Sequence, residues 1–173
     1  SVTGDPGPAG QVLGLDGLEP GDALVLTKPL GTGVLLAADA QGLAPSRWVE
    51  AAVASMVRDN ARAAELALEF GARASTDVSG FGLAGHLDEM LAASGVAAEL
   101  LLPALPALPG ALELVARGLR SSFFDQNAAR RGALLHGRAA QAGAAEELLF
   151  DPQTSGGLLM GVDAGRAAGL VAA

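Results

Sequence analysis

The apolar residues of this chain fall into short runs of strand length that alternate with longer segments of helical spacing. The clearest runs are Ala23–Thr27 (A-L-V-L-T) and Gly157–Val162 (G-L-L-M-G-V). Apolar runs of about four to eight residues between turn signals are typical of buried strands. Because strands and helices alternate without an internal repeat, we predict an α/β or α+β class, with helices covering a single mixed sheet.

The same criteria predict further strands and helices along the chain. Short strands are expected at Gln11–Leu15, Ala72–Thr76 and Gly95–Leu102, and helices at Phe81–Ala93, Pro109–Arg117 and Ala164–Ala172. The Ala- and Arg-rich segment Ser121–Gly143 is expected to be helical in part. With 173 residues the chain has the usual size of one domain, so we predict a single domain over 1–173, in which 1–22 is a leading segment.

One long helix is predicted from Ser46 to Gly71. Ser46 is a favourable N-cap, apolar residues then recur at helical spacing, and Gly71 suits the position just after a helix end. Asn60 falls on the apolar stripe, where an amide needs hydrogen-bond partners to offset its desolvation. It either ties backbone segments together in the interior or faces a functional site, and the pattern leaves both open.

Charge and cysteine content restrict the class of function. The formal net charge is -8, so the chain has no basic surface for nucleic acid or anionic lipid, and neither partner is expected. A phosphate ligand would then arrive with a cation, or be held by backbone N–H groups. The absence of cysteine excludes a disulfide, a thiolate nucleophile and a cysteine-ligated zinc. No signal peptide or membrane span is recognisable, and a cytoplasmic location is the default expectation.

The segment S-T-D-V-S-G-F-G-L-A-G-H, Ser75 to His86, predicts a short strand that ends in a carboxylate, a glycine-rich turn and a helix. Gly80, Gly82 and Gly85 satisfy the pattern G-x-G-x-x-G, but the preceding strand is too short and polar for a dinucleotide fingerprint.

Asp77 and His86 of this segment each have two interpretations. Asp77 either binds a hard cation, with the glycines letting phosphates approach the backbone, or caps the following helix. His86 is more simply a satisfied, half-buried histidine than a catalytic one. On the residues alone, the two interpretations of Asp77 stay open.

Two more polar segments adjoin predicted strands. Thr27 to Gly33 (T-K-P-L-G-T-G) follows the first apolar run, where α/β proteins present ligand-binding loops. It is not a Walker loop, because Lys28 precedes the glycines, and a strand-end turn with a solvated lysine is the alternative. Asp151 to Gly157 (D-P-Q-T-S-G-G) is predicted to be an irregular turn. A serine hydrolase is poorly supported, since no G-x-S-x-G motif is present.

Five segments in order carry a resemblance to a known family: L-T-K-P-L-G-T-G, S-M-V-R-D-N-A-R-A-A-E-L, S-T-D-V-S-G-F-G-L-A-G-H, L-P-G-A-L-E-L and F-D-P-Q-T-S-G-G-L-L. Together they resemble the C-terminal half of selenophosphate synthetases from about Gly17 to Val162. The wider group is similar to aminoimidazole ribonucleotide synthetase and pairs an N-terminal ATP-binding domain with an α/β C-terminal domain. The opening D-P-G-P-A-G departs from the family pattern, and Leu119 to Gly143 matches it loosely.

The resemblance implies an enzyme that makes selenophosphate from selenide, ATP and water, with release of AMP and phosphate. Its nucleophile, its essential lysine and most of its metal carboxylates lie in the N-terminal half, so no catalytic residue is assigned here and the domain alone is expected to be inactive. The implied site residues are Asp77 for magnesium, and Lys28, Gly31, Thr32, Gly80 and Gly82 for ATP. The implied partners are the N-terminal domain of the same polypeptide and, for the parent, a second copy. The alternatives are a non-catalytic binding or assembly domain of this fold, or another ATP-dependent enzyme of the superfamily.

Overall fold

The computed structural model describes residues 12–135 and 143–173. Their three strands, β1 (Asp22–Leu26), β2 (Ala74–Asp77) and β3 (Leu158–Asp163), form one sheet in the order β1-β3-β2. The predicted class is confirmed. The expected mixed sheet is wrong for the described strands, because β3 runs antiparallel to both of its neighbours.

Helices account for most of the remaining structure. The described residues form α1 (Thr32–Ala40), α2 (Ser46–Val57), α3 (Ala61–Glu69), α4 (Gly82–Ser94), α5 (Ala111–Ala116), α6 (Phe124–Ala128), α7 (Arg131–Leu134), α8 (Ala144–Leu148) and α9 (Ala164–Ala172), with a 3₁₀ turn at Leu102–Ala104. Within the described ranges, none of these helices combines the length and the apolar character that a membrane crossing requires.

The sheet separates two apolar clusters. Leu159 of β3 packs with α1, α4, α5 and α8 in the larger cluster, whereas Met160 and Val162 pack with α3 and α9 in the smaller one. Alternate residues of a strand point to opposite faces, so the six residues of β3 supply both clusters. Both faces of the sheet are therefore covered, as predicted.

Most predicted elements are confirmed with small shifts of their ends. The apolar run at 23–27 forms β1 one residue earlier, the run at 72–76 forms β2, and the run at 157–162 forms β3. The predicted helices at 81–93, 109–117 and 164–172 correspond to α4, α5 and α9. Val25 is the one buried residue of β1, and the other four residues of the strand are partly exposed.

The long helix predicted from Ser46 to Gly71 is wrong in one respect: it is two helices. α2 ends at Val57, Arg58 is extended, and α3 begins after Asn60. The cause is local, because the Asp59 Oδ1 atom accepts a hydrogen bond from the Ala61 N–H (3.0 Å) and so competes with helix continuation. At the start, Ser46 is the first helical residue rather than the N-cap. The positive φ of 68° at Gly71 agrees with its predicted place after a helix.

Two predicted strands are wrong. Gln11 lies outside the described residues and Val12–Leu15 is irregular, although the Gly14 carbonyl accepts one hydrogen bond from Ser75 N–H (2.9 Å). No strand forms at Gly95–Leu102 among the described residues: the segment is irregular up to Leu101, and Leu102 begins the 3₁₀ turn. Residues Val96–Leu101 and β1 both line a groove of about 720 Å³. Of the segment 121–143, α6 and α7 confirm partial helicity, and residues 136–142 lie outside the described part.

Candidate functional site

The turn between β2 and α4 holds the predicted metal ligand. β2 ends at Asp77, whose side chain is exposed, and the chain turns through residues 78–81 before α4 begins. Residues 151–157 hold this turn in place, because Val78 N–H donates to the Gly157 carbonyl (2.9 Å) and Gln153 N–H donates to the Ser79 carbonyl (2.9 Å). A carboxylate is thus presented to solvent from a braced backbone.

Asp77 is not a helix cap, so that interpretation is wrong. The N-cap of α4 is Phe81, and no side chain caps this helix end. The Asp77 carboxylate makes no ion pair or hydrogen bond with the described residues. An exposed carboxylate with free oxygens can accept a hard cation such as magnesium.

Gly80 and Gly82 differ in their surroundings. Gly80 is exposed, and a Cβ atom added there would meet nothing within 4 Å. Gly82 is buried with a φ of 69°, and an added Cβ would lie 2.7 Å from the Leu149 carbonyl oxygen. Gly82 therefore allows close packing inside the protein, whereas Gly80 leaves the outer surface of the turn open for a ligand.

His86 lies in α4 with 7% of its surface exposed. Its Nε2 atom is 3.2 Å from the Ser79 Oγ atom, and its ring centroid is 5.5 Å from that of Phe81. The interpretation as a satisfied histidine is confirmed, with deeper burial than expected. Through Ser79 it braces the turn that carries Asp77.

Lys28, the chain's only lysine, is buried rather than solvated. Its Nζ atom donates to the carbonyls of Arg58 (2.5 Å) and Ser155 (3.0 Å). Burial and the nearby charge of Arg58 lower the pKa of Lys28 below its ordinary value. The ammonium is thus used to join the α2–α3 connection to the segment around Ser155.

Asn60 joins the same two parts of the chain. Its Nδ2 atom donates to the Gly156 carbonyl (3.0 Å), and its Oδ1 atom is buried without a partner among the described residues. The interpretation of Asn60 as an amide that ties backbone segments together agrees with this contact.

Gly31 and Thr32 are also engaged inside the protein. The Gln153 Oε1 atom accepts hydrogen bonds from Gly31 N–H (2.9 Å), Thr32 N–H (3.2 Å) and the Thr32 hydroxyl (3.2 Å). At the predicted site, the N–H groups that could hold a phosphate are thus occupied by the chain's own glutamine.

Asp151 completes this arrangement. It is 2% exposed, and its Oδ2 atom accepts from Val34 N–H (3.1 Å) and from Gln153 Nε2 (3.2 Å). Burial raises the pKa of Asp151 to about 6, more than these hydrogen bonds lower it. Residues 151–157 form the irregular turn that their composition predicts, but that composition did not indicate the buried roles of Asp151 and Gln153. Their position directly after the apolar run Leu148–Phe150 was the available signal in the sequence.

The predicted site residues therefore form two groups, separated by residues 151–157, which we call the bridging segment. Asp77, Gly80 and Gly82 lie between the end of β2 and the start of α4. Lys28, Gly31 and Thr32 lie between the end of β1 and the start of α1. Among the described residues, no group of three or more His, Asp or Glu side chains is placed to hold a metal ion.

A groove of about 720 Å³ lies apart from these turns. It is lined mainly by apolar residues of β1, of α4 and of the segment Val96–Leu101. None of the six predicted site residues lines it. The groove therefore gives no support to the predicted nucleotide site.

The chain matches a known protein family over most of its length. Residues 19–173 match the family described as AIR synthase related protein, C-terminal domain. The chain belongs to this family. The antiparallel pairing of β2 with β3 also excludes the parallel sheet of a dinucleotide-binding fold at this turn.

Curated relatives of the chain are named selenide, water dikinase. The proteins from Pelobacter propionicus, Porphyromonas gingivalis ATCC 33277 and Geobacter metallireducens are 42%, 44% and 44% identical over 100%, 90% and 92% of this chain. The matched regions are 49%, 44% and 46% of those proteins, so the chain spans about half their length. Selenide, water dikinase is the other name of selenophosphate synthetase, so the resemblance to the C-terminal half of this family is confirmed.

A solved structure shares the fold. Thiamine-monophosphate kinase from Stenotrophomonas maltophilia superposes with a TM-score of 0.63 at 22% identity, over 95% of this chain and 46% of that one. At this identity the likeness shows the fold alone.

Proposed function

We propose that the chain is the C-terminal domain of a selenophosphate synthetase and supplies part of the site for magnesium and ATP. The parent enzyme would convert ATP, selenide and water to selenophosphate, AMP and phosphate. The names of the relatives support the enzyme class. The observation that supports the site is the exposed Asp77 carboxylate at the end of β2, beside the open surface of Gly80.

In this proposal each residue of the turn has a limited task. Asp77 contributes one oxygen ligand to magnesium, whose charge neutralises the phosphate oxygens of ATP. Gly80 lets phosphates approach the backbone, and Gly82 keeps the turn packed against the Leu149 carbonyl. Lys28 and Thr32 support the site indirectly, because their side chains form hydrogen bonds with Ser155 and Thr154 of the bridging segment.

We further propose that the 173-residue chain is inactive alone. It has no cysteine, and its described residues hold no cluster of carboxylates around Asp77. The remaining ligands and the nucleophile would come from an N-terminal domain. Phosphoryl transfer from a triphosphate needs magnesium held in place by several groups, so a single carboxylate is insufficient.

The test compares Asp77→Asn with Asp39→Asn, an exposed aspartate in the last turn of α1. Each variant is joined to a matching N-terminal half, either as one polypeptide or by mixing, and magnesium-dependent ATP cleavage is measured with thermal stability. We expect Asp77→Asn to lose about tenfold or more in activity, on the order of 1.4 kcal/mol per tenfold, at unchanged stability. Asp39→Asn should match the unaltered protein.

Two outcomes would contradict the proposal. Near-normal activity of Asp77→Asn at every magnesium concentration would remove the ligand role. If the unaltered chain restores no ATP cleavage to any matching N-terminal half, the enzyme assignment fails. The chain would then be a binding or assembly domain of this fold.

A further inference from the structure

The N-terminus of α1 is closed by side chains from a distant part of the sequence. A helix leaves its first N–H groups without partners inside the helix. At the start of α1, the N–H groups of Gly31 and Thr32 donate to Gln153 and that of Val34 donates to Asp151, across 117 to 122 residues of sequence. Gly31, the N-cap, has no side chain to do this.

The two closing side chains also hold each other. Gln153 Nε2 donates to the Asp151 carbonyl (2.8 Å) and to its Oδ2 atom (3.2 Å). Both residues are at most 5% exposed, so water cannot replace a lost partner without a local rearrangement. A buried amide with its donor and acceptor groups both satisfied defines one geometry.

The bridging segment also contacts the turn between β2 and α4, which carries Asp77. Gln153 N–H donates to the Ser79 carbonyl, and Val78 N–H donates to the Gly157 carbonyl. At Gly156 an added Cβ would lie only 2.0 Å from the Val78 carbonyl oxygen, so the segment lies directly against this turn. Gln153 thus contacts one turn with its side chain and the other with its backbone.

We propose that Gln153, assisted by Asp151, is a positioning residue that fixes the turn carrying Asp77 relative to the start of α1. This inference extends the proposed function, since a metal ligand on a turn is useful only if the turn keeps its place. In this role neither residue contacts the nucleotide. Gln153 acts by occupying the helix N–H groups and by holding the bridging segment against Ser79.

The first test uses the 173-residue chain and needs no activity. Gln153→Met is nearly isosteric but removes the hydrogen bonds of the amide, and Gln41→Met is the matched control at the exposed end of α1. In amide nitrogen–proton spectra we expect Gln153→Met to shift Gly31 and Thr32, and also Gly80 and Gly82. Gln41→Met should shift none of these four. Shifts confined to Gly31 and Thr32 would overturn the link between the turns.

A second variant serves if Gln153→Met does not fold. Gln153→Glu keeps the acceptor for Gly31 and Thr32 but places a carboxylate against Asp151. We expect the Val34 resonance and those of the Gly80 turn to move, because repulsion displaces Asp151 and the bridging segment. Unchanged resonances at Val34 and Gly80 would overturn the proposal.

The kinetic test uses the polypeptide that contains both halves. We expect Gln153→Glu to raise the KM for ATP about fivefold or more and to change kcat less, because binding geometry is lost while no reacting group is removed. Gln41→Glu is the control. A KM unchanged from the control would refute the positioning role. If the unaltered polypeptide cleaves no ATP, the proposed function fails, and the spectra alone decide the role of Gln153.

Discussion

Replacing Asp151 with asparagine is expected to stabilise the chain at neutral pH. Burial raises the pKa of the Asp151 carboxyl from its ordinary 3.8 to about 6. Between these values the folded chain keeps a proton that the unfolded chain has lost, so stability falls as the pH rises. The contribution of this group is complete below about pH 4 and is lost as the pH rises through about 6.

The size of the effect follows from the two pKa values. Their difference of roughly two, at about 1.4 kcal/mol per pKa unit, corresponds to about 3 kcal/mol of stability lost between pH 4 and pH 7. Asparagine carries no charge and keeps an oxygen that accepts from Val34 N–H. Its Nδ2 atom would take the place of Oδ1, which is buried without a partner among the described residues, so a buried donor offsets part of the gain. The positive charge of Arg120 acts on Asp151, although Arg120 is itself paired with Glu147. Arg131 lies near Arg120 and adds a second positive charge. Loss of the attraction between Asp151 and Arg120 reduces the gain.

The assay is urea unfolding of the unaltered chain, Asp151→Asn and Asp163→Asn, at pH 4.5 to 7.5. Asp163 caps the exposed start of α9 through Gly165 N–H (2.9 Å) and is the matched control. At pH 7 we expect the free energy of unfolding of Asp151→Asn to exceed that of the unaltered chain by about 1 to 3 kcal/mol. This difference should shrink as the pH falls towards 4.5. A variant that is less stable at pH 7, or a gap that does not change with pH, would refute the reasoning.

Two further predictions concern positions that packing restricts. Gly82→Ala should lower the free energy of unfolding in urea by about 2 kcal/mol or more, because the φ of Gly82 is positive and the new Cβ would press on Leu149. Gly95 has a similar φ of 68° but open space around it, so Gly95→Ala should lower the free energy of unfolding by about 1 kcal/mol. Equal losses would contradict the packing argument. Lys28 should react with an amine-specific reagent far more slowly in the folded chain than in urea, read by mass spectrometry, since its Nζ atom is held by Arg58 and Ser155. Equal rates would show that the ammonium is free.

Local patterns predicted the elements whose partners are close or whose apolar run is unambiguous. The runs that form β1 and β3 and the spacing of α4 were sufficient, because burial of those side chains decides their conformation. The break between α2 and α3 was not predicted. It depends on the competition of Asp59 for a backbone donor, which the apolar period does not register. The apolar segment Gly95–Leu102 has the composition of a strand but no ladder partner among residues 12–135 and 143–173.

The candidate site was predicted to a smaller extent. The exposed carboxylate of Asp77 after a strand follows from its motif, since the glycines after it end the strand. The engagement of Lys28 and Thr32 could not be predicted, because their partners Ser155 and Gln153 lie more than 120 residues away. A lysine beside glycines is equally compatible with solvent, phosphate or backbone carbonyls. Only the tertiary packing selects the carbonyls.

The order of the strands also affects how the chain folds. β3 lies between β1 and β2 but follows β2 by 80 residues, so both edge strands are synthesised well before the strand that pairs with them. On the ribosome, Asp22–Leu26 and Ala74–Asp77 would wait unpaired while most of the helices form. Pairings between distant segments are slow to form, because loop closure costs entropy before any contact is gained. Nascent chains stalled before Leu158 should therefore be helical, sensitive to protease and without a sheet.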